Sequence, residues 1–171
     1  SETLGKSLQT IRRLASRSNY ELRNAIFALR EVKQTNTKSG IVALIDDLVI
    51  EFRTQTGIAI TFITPESAPT IEPPVVDVIY RIVREALSNV SKHSKASAVI
   101  VNLSCDEQTI QIMIQDDGVG LQQNIDAKID DTHLHFGIAL MRQLVSQVKG
   151  EFIITNGDEL GALVKARIPT I

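Results

Sequence analysis

The sequence holds one cysteine, Cys105. One thiol can neither staple a secreted fold nor build a multi-cysteine metal site, so a reducing compartment, the cytoplasm, is the expectation. There is no marked excess of either charge. Eighteen Lys and Arg stand against 20 Asp and Glu, and the net charge of -2 gives no general attraction to nucleic acid or to anionic lipid. Any phosphate the chain holds must therefore be held locally. No window approaches the roughly 18 continuous apolar residues of a spanning helix, and no basic-then-apolar leader opens the chain. It begins at Ser1 rather than Met, which reads as an excised piece whose contact with a membrane, if any, runs through upstream regions. Internal repeats and low-complexity tracts are also absent.

What is present suits one compact domain plus an appended element, because 171 residues supply one good core and little more. With 43% hydrophobic and 22% charged residues, the balance is that of a chain that folds in water. From Leu4 the apolar or small residues fall at Leu4, Leu8, Ile11, Ala15, Ser18, Leu22, Ala25, Leu29 and Val32, in alternating steps of four and three. Such a heptad seam predicts a long coiled-coil-like helix over residues 1–34 that seeks a partner helix. An amphipathic helix lying on its own domain is the alternative. Residues 35–40 read as a polar linker, and residues 41–171 as the main domain.

Within that domain Ile41 to Thr54 has helical spacing, with Gly57 as its stop, and Ile58 to Ile63 alternates like a strand. Pro65, Pro69, Pro73 and Pro74 punctuate a loop, and the last two suit the first turn of a helix running from Val75 to about His93. At about 100° per residue, Arg81, Glu85, Asn89 and Lys92 share a narrow polar arc, opposite Val75, Ile79, Ile82, Val83, Ala86 and Val90. One face builds core; the other lines up a carboxylate, an amide and an ammonium. For an arbitrary helix that row is a solvated surface, yet Asn is a poor mid-helix residue and brings a metal-capable oxygen. Ala98 to Cys105 and Thr109 to Gln115 read as a hairpin, followed by Asp116-Asp117-Gly118-Val119-Gly120. A carboxylate at such a turn can accept a hydrogen bond from an exocyclic amine, although a lone DxGxG is most often a plain turn. The polar stretch from Leu121 to Leu134 reads as a functional loop, Ile138 to Val148 as a helix able to receive phosphate at its N-terminus near Gly137, and Glu151 to Thr155 and Leu163 to Ile168 as closing strands around Asn156-Gly157.

Three strings then occur in order: Glu85 to His93 reading E-x-x-x-N-x-x-K-H, Asp116 to Gly120, and Phe136-Gly137-Ile138-Ala139-Leu140-Met141-Arg142. In this order and context they resemble the ATPase domain of bacterial sensor histidine kinases over about residues 41 to 169. The subfamily concerned with nitrate response, membrane fluidity and envelope stress looks most similar. The resemblance implies an α+β Bergerat fold, a mixed sheet backed by helices with ATP between one helix and a lid. It implies that Asn89 coordinates Mg²⁺, that Lys92 and His93 lie close to the phosphates, and that Glu85 activates the acceptor imidazole. Asp116 is implied to receive the adenine amino group, Gly118 and Gly120 to shape the adenine pocket, and Gly137 to anchor the far end of the lid. Leu22 to Arg30 resembles the second helix of that subfamily's dimerisation and phosphoacceptor domain, which implies a homodimer, a response-regulator partner and an acceptor histidine outside this chain. The family's third motif commonly has three glycines where this chain has His135, Gly137 and Leu140, and Gly161-Ala162 stands where Gly-Thr is frequent. A second reading, a degenerate pseudo-kinase that dimerises or binds a partner, thus stays open beside the ATP-binding kinase module.

Overall fold

A computed structural model describes residues 40–66, 71–121, 132–158 and 160–170, the side chains of 132–135 excepted. The predicted N-terminal helix and the polar stretch 122–131 lie outside these residues. The elements run α1 (Gly40–Thr56), β1 (Ala59–Ile63), α2 (Pro73–Asn89), a π turn (Val90–Ser94), β2 (Ala98–Cys105), β3 (Thr109–Asp116), α3 (Thr132–Gln147), β4 (Glu151–Asn156) and β5 (Ala162–Pro169).

The strands form one mixed sheet in the order β1-β2-β3-β5-β4, with β1 parallel to β2 and every other pairing antiparallel. The alternation seen in the sequence becomes two different faces. Register sets Val101 beside Ile114 and Ile114 beside Val164, then Leu103 beside Ile112 and Ile112 beside Ala166, so these residues share one face and all are buried. Thr61, Ile100, Gln115 and Leu163 line up on the other face, where Ile100, Ile63 and Ile153 are exposed. One side of the sheet therefore carries the core and the other is open, the arrangement expected where helices back one face only.

Those helices are built by their apolar stripes. α1 buries Ile41, Val42, Ile45, Leu48, Val49 and Phe52, and its Arg53 donates to the carbonyl of Ile60 in β1 at 2.7 Å. Gly57 closes it with its N–H on the carbonyl of Arg53. α2 starts on Pro73 and Pro74, whose missing N–H groups would have no helical partner in the first turn, while Val75 and Val76 donate to the carbonyl of Glu72. Its buried stripe, Val75, Val76, Val78, Ile79, Ile82, Val83, Ala86 and Leu87, packs towards β3, and α3 packs on both α2 and β4. Fully burying one such Ile or Val is worth about 1.5 to 3 kcal/mol, which makes this stripe a main source of stability.

Two boundaries depart from expectation. α2 gives way after Asn89 to a π turn that ends at Lys95 in the left-handed region, φ 53°. Because the π turn is wider, with i to i+5 bonds, the spacing of about 100° that placed Lys92 on the arc of Arg81, Glu85 and Asn89 does not extend past Asn89. α3 begins at Thr132 rather than near Gly137, since no proline or glycine interrupts 132–136.

Candidate functional site

The motif residues gather at one end of α2, around the loop that follows β3. Asp116 ends β3 with its side chain buried. Its Oδ1 accepts the N–H of Gly118 at 2.8 Å and its Oδ2 the N–H of Ala162 at 3.3 Å. Gly161, with φ +75°, lies directly against the Asp116 carbonyl, so that any Cβ there would overlap it. Gly118 is pressed in the same way onto the Ser94 carbonyl, the last residue of the π turn. Gly120, φ +72°, fits against the Asn156 amide and the Gly161 carbonyl, at 2.7 and 2.9 Å from where its Cβ would stand. Gly118 and Gly161 thus let two backbone segments approach Asp116 more closely than side chains permit, and Gly120 lets the loop close on the β4–β5 turn.

On the α2 side, Glu85 and Asn89 are half-buried and one turn apart, Lys92 is exposed and His93 half-buried on the π turn. Gly137 is the sixth residue of α3, and a Cβ on it would run into the Glu85 carboxylate. It serves as a close-packing point between α3 and α2. Its amide is not one of the free donors of a helix N-terminus, which are limited to the first four residues, so the expectation of phosphate capture near Gly137 does not match this helix start. The structure therefore brings Asp116, Gly118 and Gly120 together beside the π turn, and Gly137 against Glu85.

Several contributors carried no signal in the sequence. Asn156, read there as a turn residue, accepts the Leu121 N–H at 2.6 Å and donates to the Leu121 carbonyl at 3.4 Å, which ties the β4–β5 turn to the end of the DxGxG loop. Ser94 donates to the Val90 carbonyl at 2.8 Å and accepts the Val119 N–H on its own carbonyl at 2.8 Å. Val119 and Leu160, both on segments that touch Asp116 or its glycines, are exposed apolar side chains of the kind that can cover a flat ring. The second aspartate, Asp117, has its carboxyl pulled below the usual range by the Ser97 hydroxyl first and the Ala98 amide next. A depression of about 360 Å³ on the open face, lined by Cys105, Gln111, Glu151, Lys165 and Arg167 among others, contains none of the motif residues and lies apart from this chemistry.

Comparison with known proteins agrees with this geometry. Residues 75–170, more than half of the chain, match the family described as histidine kinase-, DNA gyrase B-, and HSP90-like ATPase. The signal transduction histidine-protein kinase/phosphatase DegS of Brevibacillus brevis is 27% identical over 96% of this chain and 41% of its own length. The sensor histidine kinase LiaS of Bacillus subtilis is 29% identical over 96% and 43%. The chain thus spans less than half the length of these relatives. Among solved structures, the histidine kinase domain of the Erythrobacter litoralis EL346 blue-light activated kinase superposes with a TM-score of 0.61 at 20% identity, covering 76% of this chain and 61% of that one. The full-length ShkA structure in complex with AMPPNP gives a TM-score of 0.61 at 18% identity, covering 76% and 29%. This chain belongs to the histidine kinase-, DNA gyrase B- and HSP90-like ATPase family, as an ATPase domain of the sensor histidine kinase type.

Proposed function

We propose that the chain binds Mg-ATP between α2 and the loop after β3 and transfers the γ-phosphoryl group to a histidine outside this chain. The observation that carries the reading is the Asp116 cradle. Two of the roughly four lone-pair positions of this buried carboxylate are used by the amides of Gly118 and Ala162, which leaves capacity for a ligand amine. The C6 amine of adenine donates to such a group, whereas guanine presents a carbonyl at that position and has its own amine on a different edge of the ring. Asn89 supplies an amide oxygen where α2 ends, a ligand type that suits Mg²⁺. Asn89 would hold a Mg²⁺ from the protein side, the remaining ligands coming from the nucleotide and water. Such an ion would supply charge neutralisation to the phosphates. Lys92 adds a compact charge to the same phosphates, with His93 beside it, and Glu85 is the base that activates the acceptor imidazole. The heptad seam of residues 1–34 makes the homodimer, and a response regulator takes the phosphoryl group onward in the cytoplasm.

Calorimetric titration with Mg-ATP, with GTP for comparison, tests the reading. Adenine-selective binding that disappears in Asp116→Ala supports it. Equal affinity for GTP, or an unaffected Asp116→Ala, sinks the assignment of the base pocket. The alternative of a degenerate partner-binding module draws on α3, whose start at Thr132 leaves Gly137 packed on Glu85. No nucleotide binding by the wild-type chain favours that second reading.

A further inference from the structure

Adenine recognition accounts for Asp116 and the glycines around it, but not for Asp117. Its carboxylate gathers three donors from a segment 20 residues earlier: Oδ1 accepts the N–H groups of Ser97 at 2.8 Å and Ala98 at 2.9 Å, and Oδ2 the Ser97 hydroxyl at 2.6 Å. The main chain reinforces the contact, since the Asp117 N–H reaches the Ala98 carbonyl at 3.2 Å and the Val119 N–H the Ser94 carbonyl at 2.8 Å. Ser94 is tied back to the π turn through the Val90 carbonyl, and its hydroxyl accepts the Ala96 N–H at 3.0 Å. The loop that carries Asp116 is thereby fastened to the segment that leaves the π turn of Lys92 and His93.

We propose that Asp117 and Ser97 form a positioning clasp that sets the spacing between the adenine end and the phosphate end of the nucleotide site. The proposal rests on the ATP-binding reading above. A ligand that must satisfy both ends at once is sensitive to that spacing, because small misplacements forfeit well-aligned contacts. A ligand that uses one end is not.

The molecule contains its own control. Asp106, at the other end of the β2–β3 hairpin, makes the same set of bonds: it accepts the N–H of Gln108 at 2.9 Å, the N–H of Thr109 at 2.7 Å and the Thr109 hydroxyl at 2.8 Å. Both carboxylates are exposed and both are held below the usual range by hydrogen bonds. Removing either deletes the same chemistry, but only Asp117 adjoins the motif residues.

The test compares Asp117→Ala, Asp106→Ala, Ser97→Ala and the Asp117→Ala/Ser97→Ala pair in the whole chain, by urea unfolding and by titration with Mg-ATP and with adenosine. Asp117→Ala is expected to raise the Kd for Mg-ATP about tenfold or more, the scale of a lost charge-assisted bond set, with a much smaller change for adenosine. Asp106→Ala lowers the urea midpoint comparably and leaves Mg-ATP affinity unchanged. Ser97→Ala gives an intermediate loss, and the pair is no worse than Asp117→Ala alone, as for two members of one contact. An equal Kd change in Asp106→Ala and Asp117→Ala, or equal losses for ATP and adenosine, overturns the clasp and leaves Asp117 as a turn cap. A wild-type chain that binds neither ligand overturns the ATP reading itself, a result distinct from wild-type binding with an unselective loss.

Discussion

Gly161→Ala is the perturbation whose size the structure fixes most directly. Gly161 has φ +75°, and its Cα faces the Asp116 carbonyl so closely that a Cβ would overlap it and stand 2.9 Å from Asp116 Oδ1. Two costs add. The left-handed conformation costs an L residue about 1 to 2 kcal/mol, and forcing an extra methyl into a close-packed site costs about 1 to 3 kcal/mol. The sum is about 2 to 5 kcal/mol of stability, part of it relieved if β5 retreats from Asp116. Gly57 separates the two costs, because its φ is +70° and a Cβ there meets nothing within 4 Å. Gly57→Ala therefore pays the conformational cost alone, about 1 to 2 kcal/mol. The small gain from stiffening the unfolded chain applies equally to both variants. With a urea m-value of about 2 kcal/mol/M, the midpoint falls by about 1 to 2.5 M for Gly161→Ala and by less than about 1 M for Gly57→Ala. Mg-ATP titration of the same two proteins gives the functional half: Gly161→Ala loses affinity because relief of the clash moves Asp116, and Gly57→Ala binds as wild type. Equal midpoints, or wild-type nucleotide affinity in Gly161→Ala, would refute the claim that this glycine exists to let β5 approach Asp116, the carboxylate proposed to receive the base.

Other outcomes follow from the same geometry. Asn89→Ala abolishes the Mg²⁺ dependence of ATP binding, read by titration with and without the ion, and a variant that keeps that dependence removes Asn89 as the metal ligand. Asn156→Ala frees the Leu121 main chain, so the Leu121 amide exchanges faster with solvent and the Kd for ATP rises; an unchanged exchange rate would show that the bond does no anchoring in solution. Hydrogen bonds hold the Asp106 and Asp117 carboxyls below the usual carboxylate range in the folded chain, so their stabilising contribution is complete above the unfolded pKa and is lost as pH falls through the folded values. Stability from these two groups is therefore flat above about pH 5 and falls below about pH 4, and Asp106→Asn/Asp117→Asn flattens that acid limb in pH-dependent urea unfolding.

Much of the molecule was legible because burial leaves a local trace. The period of two in 98–105 and 109–115 reported which side chains of β2 and β3 face the helices, and the period near 3.6 from Val75 reported the stripe that α2 buries. The order of the Glu85-to-His93, Asp116-to-Gly120 and Phe136-to-Arg142 strings pointed to the family, since each string is contiguous in sequence and spans no more than one element and the turn that follows it.

What tertiary structure alone decided is which distant groups meet. That Asp117 closes on Ser97 and Ala98, that Asn156 holds Leu121 from 35 residues away, and that Ala162 donates to Asp116 across 46 all depend on strand order and register. A side chain's hydrogen-bonding capacity is written in its residue type, but its partner is set by chain closure. The same holds for Gly137, expected to anchor the far end of a lid and found packed on Glu85, and for the π turn after Asn89, where residues with ordinary helical spacing settle into a wider turn. Periodicity encodes how deeply each residue is buried; only the folded chain encodes which neighbour it is buried against.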